Sequence, residues 1–257
     1  MKHLIENESN YSPDHYRTPD GAPTDIVIFT IVSTERSKVK KALPHHELQV
    51  LLIKRNIWPF EGQWALPGGF TLETETVQEC ARRELLEETQ VSEVHLEYFN
   101  VYSAPGRDPR GWMISHAFLA LVGEQQLANR QAAVDASEVQ LFPVADALKL
   151  PLAFDHRTLI EDALLQIQRK MLTTTIAKAF LPDEFTIAEL YQVIQAVVPD
   201  FAEQNFIRKI TSTQSRSGII EKAVDAAGEP KSSNLYSQRP AQLYRFTGHE
   251  PQLSIYG

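Results

Sequence analysis

Glu84, Glu87 and Glu88 stand at i, i+3 and i+4 in the run Arg83-Glu84-Leu85-Leu86-Glu87-Glu88. On an α-helix this spacing brings all three carboxylates onto one face. Like charges so crowded repel, and the arrangement costs stability unless something positive sits among them. A hard divalent cation such as Mg²⁺ takes oxygen ligands and is commonly shared between a few carboxylates and a substrate phosphate. Metal-assisted attack on phosphorus is therefore what such a face could do. Val77, Ala81 and Leu85 recur on the opposite face, as a helix docked on a core requires. An ordinary solvated acidic helix has the same charge run, so the glutamates alone leave both readings open.

The residues ahead of the helix narrow the choice. Pro67-Gly68-Gly69 is a tight loop whose backbone can approach a ligand closely, and Glu75 follows Gly69 by six positions. Gly69, Glu75, Arg83, Glu84, Leu85, Glu87, Glu88 and Val91 match the Nudix box, G-x5-E-x7-R-E-U-x-E-E-x-G-U with U a bulky aliphatic, at the right spacing. The segment resembles the Nudix hydrolases at every fixed position but one. The departure is Gln90, where the family has a glycine that ends the helix at a position often needing positive φ. A side chain there is expected to cost roughly 1 kcal/mol.

The resemblance implies cleavage of a nucleoside diphosphate derivative by water attack on phosphorus. It makes Glu84, Glu87 and Glu88 ligands of Mg²⁺, or of Mn²⁺ in its place, with the Gly68 or Gly69 carbonyl as a further ligand. Arg83 is expected to brace the carboxylates, and Glu75 to be a hydrogen-bond partner in the loop. The general base stays open between Glu88 and Glu138, which lies just before the apolar run Val139–Val144.

Apolar content of 43% and charged content of 23% over 257 residues describe a globular chain long enough for one large or two modest domains. The single cysteine, Cys80, excludes an internal disulfide framework and is expected to be a small buried thiol. The N-terminal stretch has no apolar signal core, and no run approaches the length of a membrane helix, so a cytoplasmic protein without a membrane partner is expected.

Residues 1–23 are polar and proline-bearing and read as an arm. Asp25–Val32 is a continuous apolar run, typical of a strand buried on both faces. Leu48–Lys54, 94–103, 113–122 and Val139–Val144 supply further strands. Ser33–Glu47 reads as a loop, and its His45-His46 pair as surface. The acidic helix is expected over 74–89 and a second over Arg157–Leu172, capped by Asp155. Strands interleaved with helices predict an α/β domain over 24–172, which the resemblance makes a Nudix α/β/α sandwich.

Other residues could position a substrate. Arg107 and Arg110, held by Pro109 and Gly111, could clamp a phosphate, and a plain surface turn is the alternative. Arg55 could join them, and Trp64 could stack on a base or pack in the core.

From residue 173 the pattern changes to a separate small unit, 173–257. Thr186 caps Ile187–Val198, whose stripe is Leu190, Val193, Ile194 and Val197, and Asp200 caps Phe201–Ser212. Two short strands around a polar loop follow, at Gly218–Lys222 and Ala241–Phe246. Helix, brief turn, helix and a two-stranded hairpin make a winged helix-turn-helix. Acidic and basic residues nearly balance in this unit, so only local clusters fit a nucleic acid. Gln204, Asn205, Arg208, Lys209 and Arg239 are the candidate DNA contacts. A winged helix used only for dimer packing is the alternative.

The strings LLIKRNIWPFEGQWALPGGF, RDPRGW, LAFDH and LPDEFTIAELYQVI, in this order, resemble Nudix domains fused to a winged helix, among them NAD-related transcriptional regulators. That resemblance implies hydrolysis or sensing of ADP-ribose, an operator in double-stranded DNA, and a homodimer. Some members of that group have lost the catalytic glutamates and act only as ligand-responsive repressors.

Overall fold

A computed structural model gives the protein's structure over residues 17–34, 44–91, 94–127, 136–202, 206, 210, 218–235 and 239–249. The elements run in the order β1 (Thr24–Thr34), β2 (His45–Arg55), β3 (Trp64–Ala65), α1 (Val77–Thr89), β4 (His95–Tyr102), β5 (Ser115–Leu121), β6 (Ala136–Pro143), α2 (Val144–Ala147) and α3 (His156–Thr173). Then come β7 (Phe185–Thr186), α4 (Ile187–Val197), β8 (Ile220–Lys222), β9 (Ser232–Ser233) and β10 (Ala241–Phe246).

The main sheet has the order β3-β2-β1-β5-β4, with β6 also paired to β2. Among the described strands, β1 and β5 are the pair that runs parallel, with Ile26 opposite Phe118 and Ile28 opposite Ala120. Side chains alternate across a strand, and β1 uses both faces. Ile26 and Ile28 pack with Leu51, Phe118 and the α1 residues Ala81 and Leu85. Val27, Phe29 and Ile31 pack instead with Leu52, Leu119 and the α3 residues Leu159, Ile160, Ala163 and Ile167. A mixed sheet with helices on both faces is the expected α/β/α sandwich.

Several boundaries move for local reasons. Helix α1 starts at Val77 rather than at residue 74, because Thr76 and Glu79 form a reciprocal capping box. Asp155 precedes α3 as expected, yet its side chain makes no cap hydrogen bond. Strand β2 begins at His45, inside the stretch read as a loop, and His46 Nδ1 lies 2.9 Å from Gln192 Oε1. Val144, read as the end of a strand, opens α2.

The C-terminal elements confirm part of the second pattern. Helix α4 carries a Thr186–Glu189 capping box and buries Leu190, Val193, Ile194 and Val197. Strand β10 pairs antiparallel with β8, as the hairpin reading requires, and also with β7 and β9. Phe201 and Ala202 lie outside any helix, whereas Phe206 and Ile210 are helical. The rest of 203–217 falls outside the described residues.

The buried stripe of α4 joins the same core cluster as β1, β2 and α3. Each fully buried Leu, Ile or Val side chain contributes roughly 1.5–3 kcal/mol. Four of them far exceed thermal energy, so α4 stays seated on the sheet.

Candidate active site

Helix α1 delivers its acidic face next to the glycine loop, and Arg83 organises it. The guanidinium donates to Glu75 through Nε (3.1 Å) and Nη2 (2.8 Å). It donates to Glu84 Oε1 through Nη1 at 2.6 Å, and the same nitrogen lies 3.7 Å from Glu87 Oε2. Nη2 also reaches the Phe70 carbonyl at 3.3 Å. The expected brace is present, and Glu75 is the expected loop partner, since its Oε1 also accepts from the Leu72 N–H at 2.9 Å. The bonds from Arg83, and then the Leu72 N–H, hold the Glu75 carboxyl at about 2, against an ordinary 4.5. Glu84 and Glu88 are buried, whereas the Glu87 side chain is half exposed.

Gln90 takes the left-handed conformation, φ 60° and ψ 22°, and its N–H closes the helix on the Leu86 carbonyl at 2.8 Å. The position therefore demands the backbone that the family's glycine supplies, and this chain meets the demand with a side chain.

The loop lies flat against β1. Ile26 N–H donates to Pro67 O at 2.9 Å and Thr24 N–H to Gly69 O at 2.8 Å. Gly68 has φ +149°, and a Cβ there would fall 2.0 Å from the Thr24 carbonyl. A Cβ on Gly69 would fall 2.1 Å from Glu84 Oε1. Close approach to backbone therefore requires Gly68, while Gly69 leaves room for the Glu84 carboxylate. Cys80, beneath the loop, is the expected buried thiol: its Sγ lies 3.4 Å from Thr24 Oγ1, and burial pushes the thiol up.

Whether these residues fit a metal rests on the donor set and the cradle. Three carboxylates and a backbone carbonyl are hard oxygen donors suited to Mg²⁺ or Mn²⁺, and the bare Gly69 leaves the Glu84 carboxylate against the loop. As placed, Arg83 rather than a cation gathers Glu75, Glu84 and Glu87. Among the described residues, no three His, Cys, Asp or Glu side chains already converge on one point. The donor chemistry fits, and Glu87, 3.7 Å from Arg83 and half exposed, is the carboxylate free to turn toward a cation.

Of the expected substrate residues, Arg55 and Arg110 come together. Their guanidinium carbons lie 5.1 and 5.5 Å from the centroid of the Phe154 ring. Arg110 also sits 4.9 Å from the Phe70 ring, next to the glycine loop. Asp108 holds Arg110 through two oxygens, with Nη2 to Oδ2 at 2.6 Å. Phe60 meets Phe154 edge-on at 4.8 Å, and both hold positive φ, 60° and 51°. Strained backbone of this kind persists only where its surroundings impose it. Trp64 does not join this group: its ring packs edge-on to Phe142 at 4.8 Å, with Lys54 5.7 Å away. Glu138 is an exposed residue of β6, 3.8 Å from Lys54.

Arg107 is corrected. Its side chain is only 3% exposed and is bound to Asp155 at 2.6 Å and Asp25 at 3.2 Å. A guanidinium buried between two carboxylates is committed to holding loops and cannot clamp a phosphate. This is also why Asp155 does not cap α3. Asp25 further accepts from Ser115 Oγ and lies 3.3 Å from His156 Nε2. Burial pushes the Asp25 carboxyl up, but His156, Arg107 and Ser115 outweigh it and hold it well below the carboxylate range. The Leu66 N–H donates to His156 Nδ1 at 2.8 Å. That bond fixes the Nε2–H tautomer, so the ring offers Asp25 a hydrogen bond and Arg107 supplies the permanent charge.

Phe70, Phe154, Asp25 and His156 escaped the sequence reading. Asp25 stands inside the apolar run Asp25–Val32, and Phe70, Phe154 and His156 appear only within the strings LLIKRNIWPFEGQWALPGGF and LAFDH. Among the DNA candidates, Arg239 is an exposed residue ahead of β10. Gln204, Asn205, Arg208 and Lys209 lie outside the described residues. Among the described residues, no helix is long and apolar enough to cross a membrane.

Comparison with known proteins agrees with this geometry. Residues 41–163 match the NUDIX domain. The ADPR-responsive transcriptional repressor NtrR of Acinetobacter baylyi is 33% identical over 202 residues, covering 78% of this chain and 76% of the repressor. An ADP-ribose pyrophosphatase of Methanocaldococcus jannaschii is 44% identical over 114 residues, covering 44% of this chain and 64% of the pyrophosphatase. The crystal structure of Shewanella oneidensis NrtR complexed with a 27mer DNA superposes with TM-score 0.67 at 30% identity, over 88% of this chain and 93% of that one. With the acidic helix and the glycine loop in place and a repressor matched along most of its length, the chain belongs to the NUDIX family.

Proposed function

We propose that the protein is a divalent-metal-dependent pyrophosphohydrolase of ADP-ribose or a related nucleoside diphosphate derivative. Its C-terminal unit would bind double-stranded DNA as a homodimer. The observation that carries the hydrolytic reading is the set Arg83, Glu84, Glu87 and Glu88 beside a loop that admits no side chain at Gly68 and places Gly69 against the Glu84 carboxylate. Glu84, Glu87, Glu88 and the Gly68 carbonyl would hold Mg²⁺ or Mn²⁺. The ion would neutralise the diphosphate and make a bound water more acidic. Glu87, the exposed carboxylate, can turn from Arg83 toward the substrate at the smallest cost. Arg83 then stays with Glu75 and Glu84 and keeps the loop and helix in register. Arg110 and Arg55, poised on Phe154, would receive the negative charge distal to the metal. Either Glu88 or Glu138 would take the proton of the attacking water.

Incubation with Mg²⁺ and ADP-ribose is expected to release AMP and ribose 5-phosphate, resolved by chromatography. No turnover across a panel of nucleoside diphosphate derivatives ends the hydrolytic reading.

A second reading, a ligand-responsive repressor with little hydrolysis, is supported by one observation. The likeness to NtrR extends beyond the NUDIX segment. Paired winged helices would read two half-sites, which is why a homodimer is expected. A gel shift on the DNA upstream of its own gene, with and without ADP-ribose, tests it. A chain that never retards DNA leaves hydrolysis alone.

A further inference from the structure

We propose that His156 is a positioning residue for the glycine loop: it sets the Gly68 peptide by binding the backbone two residues earlier. The inference rests on the reading of that loop as part of the metal and diphosphate site. Three ties reach the loop from α3 and the β1 backbone, and Gly69 O also accepts from the Thr24 hydroxyl (3.4 Å) and the Cys80 thiol (3.7 Å). Leu66 N–H donates to His156 Nδ1 (2.8 Å), Pro67 O accepts from Ile26 N–H (2.9 Å), and Gly69 O accepts from Thr24 N–H (2.8 Å). Two of these come from the β1 backbone and cannot be mutated away. The third comes from a side chain on α3, and Gly68 lies between the tethers.

His156 is itself held. The residue is 2% exposed. Its Nε2–H points at Asp25 Oδ1 across 3.3 Å, while Asp25 Oδ2 is bound by Ser115 and by Arg107 at 3.2 Å. Arg107 is locked by Asp155 at 2.6 Å, and the Phe154 ring lies 5.1 Å from the imidazole, tilted by 38°. Four segments thus converge to fix one ring nitrogen, and that nitrogen accepts from the loop. An array built only to seat the start of α3 would be complete with the bond to Asp25. The bond to Leu66 is the part that points at the loop.

The two bonds can be separated by isosteres. In His156→Asn, Oδ1 takes the place of Nδ1 and can still accept from Leu66, but nothing reaches Asp25. In His156→Gln, the terminal amide takes the place of Nε2 and still donates to Asp25, while Leu66 loses its acceptor. The full chain is used throughout. Amide hydrogen exchange at Leu66 reads the bond directly, and titration with Mn²⁺ alone and with ADP-ribose reads the site. His156→Gln is expected to speed Leu66 exchange and weaken both ligands by about tenfold, the low end for residues that orient metal ligands. His156→Asn is expected to keep Leu66 protected and bind both ligands within about twofold of the parent, on the same outer-shell scale. Equal Leu66 exchange in the two variants overturns the proposal. So does parental affinity in His156→Gln despite faster exchange.

Should His156→Gln fail to fold, the parent protein decides. Mn²⁺ with ADP-ribose is then expected to slow Leu66 exchange, and binding without that change sinks the idea. A parent that binds neither probe instead removes the functional reading on which this inference rests.

Discussion

Two arginines stand near the glycine loop, and their surroundings differ in a way that separates chemistry from scaffolding. Arg83 is 30% exposed and faces three carboxylates, Glu75, Glu84 and Glu87, so negative charge is in excess around it. Arg107 is 3% exposed and is enclosed by Asp25 and Asp155. Excess acid at a half-open surface can recruit a cation. A closed pair in the interior has nothing left to offer a ligand, and its partners cannot be removed singly without stranding a charge. Residue type is the same in the two places, and exposure together with the balance of charge decides the role.

The sharpest way to break this comparison is to neutralise the open cluster. Glu88→Gln is expected to lower kcat for ADP-ribose by about 10²- to 10⁴-fold if Glu88 takes the proton. The same loss in Glu138→Gln, with Glu88→Gln near parental, would move that role to β6; steady-state kinetics on both variants separates them. The closed cluster should respond in stability instead. Arg107→Met leaves Asp25 and Asp155 without their counter-charge and is expected to cost about 3–5 kcal/mol in urea denaturation. A loss below about 1 kcal/mol, the range of exposed pairs, would place Arg107 with surface salt bridges and undo the contrast.

Smaller effects sharpen the picture of α1. Gln90→Gly, at φ 60°, is expected to add about 1 kcal/mol by relieving left-handed backbone. That corresponds to a rise in Tm of about 2–4 °C for a chain of this size. No gain would mean that the Gln90 side chain compensates. The smallest effect is a pH dependence. Bonding to Arg83 depresses the Glu75 carboxyl from 4.5 to about 2 in the folded chain. Its contribution is therefore fully present above pH 4.5 and is lost as pH falls toward 2. Subtracting the stability of Glu75→Gln from that of the parent should give a plateau above this window and a decline within it. A flat difference would show that the pair adds nothing.

The acidic face is legible in sequence because everything that defines it lies in one short segment: the i, i+3, i+4 spacing, Glu75, and the paired glycines ahead of the helix. The sandwich is legible for a related reason, since β1 holds the apolar run Ile26–Phe29 and β2 the apolar run Val50–Ile53. Arg107 resists such reading because its partners stand 82 and 48 positions away. A local pattern of arginine, proline and glycine is the same whether the turn is buried or open. Asp155 fails as a cap for the same cause, a distant guanidinium outcompeting the nearby N–H groups. Elements as short as β3 and α2 carry too few residues for a period to emerge. The place of α4 against β2 and α3 depends on an amphipathic stripe whose destination no spacing specifies.

Helix α3 begins at His156 and ends at Thr173, 18 residues that span about 27 Å. One end holds the Leu66 amide, and near the other Gln168 donates to the Val197 carbonyl of α4 at 3.1 Å. The glycine loop and α4, 131 positions apart at Leu66 and Val197, are thereby joined through a single helix.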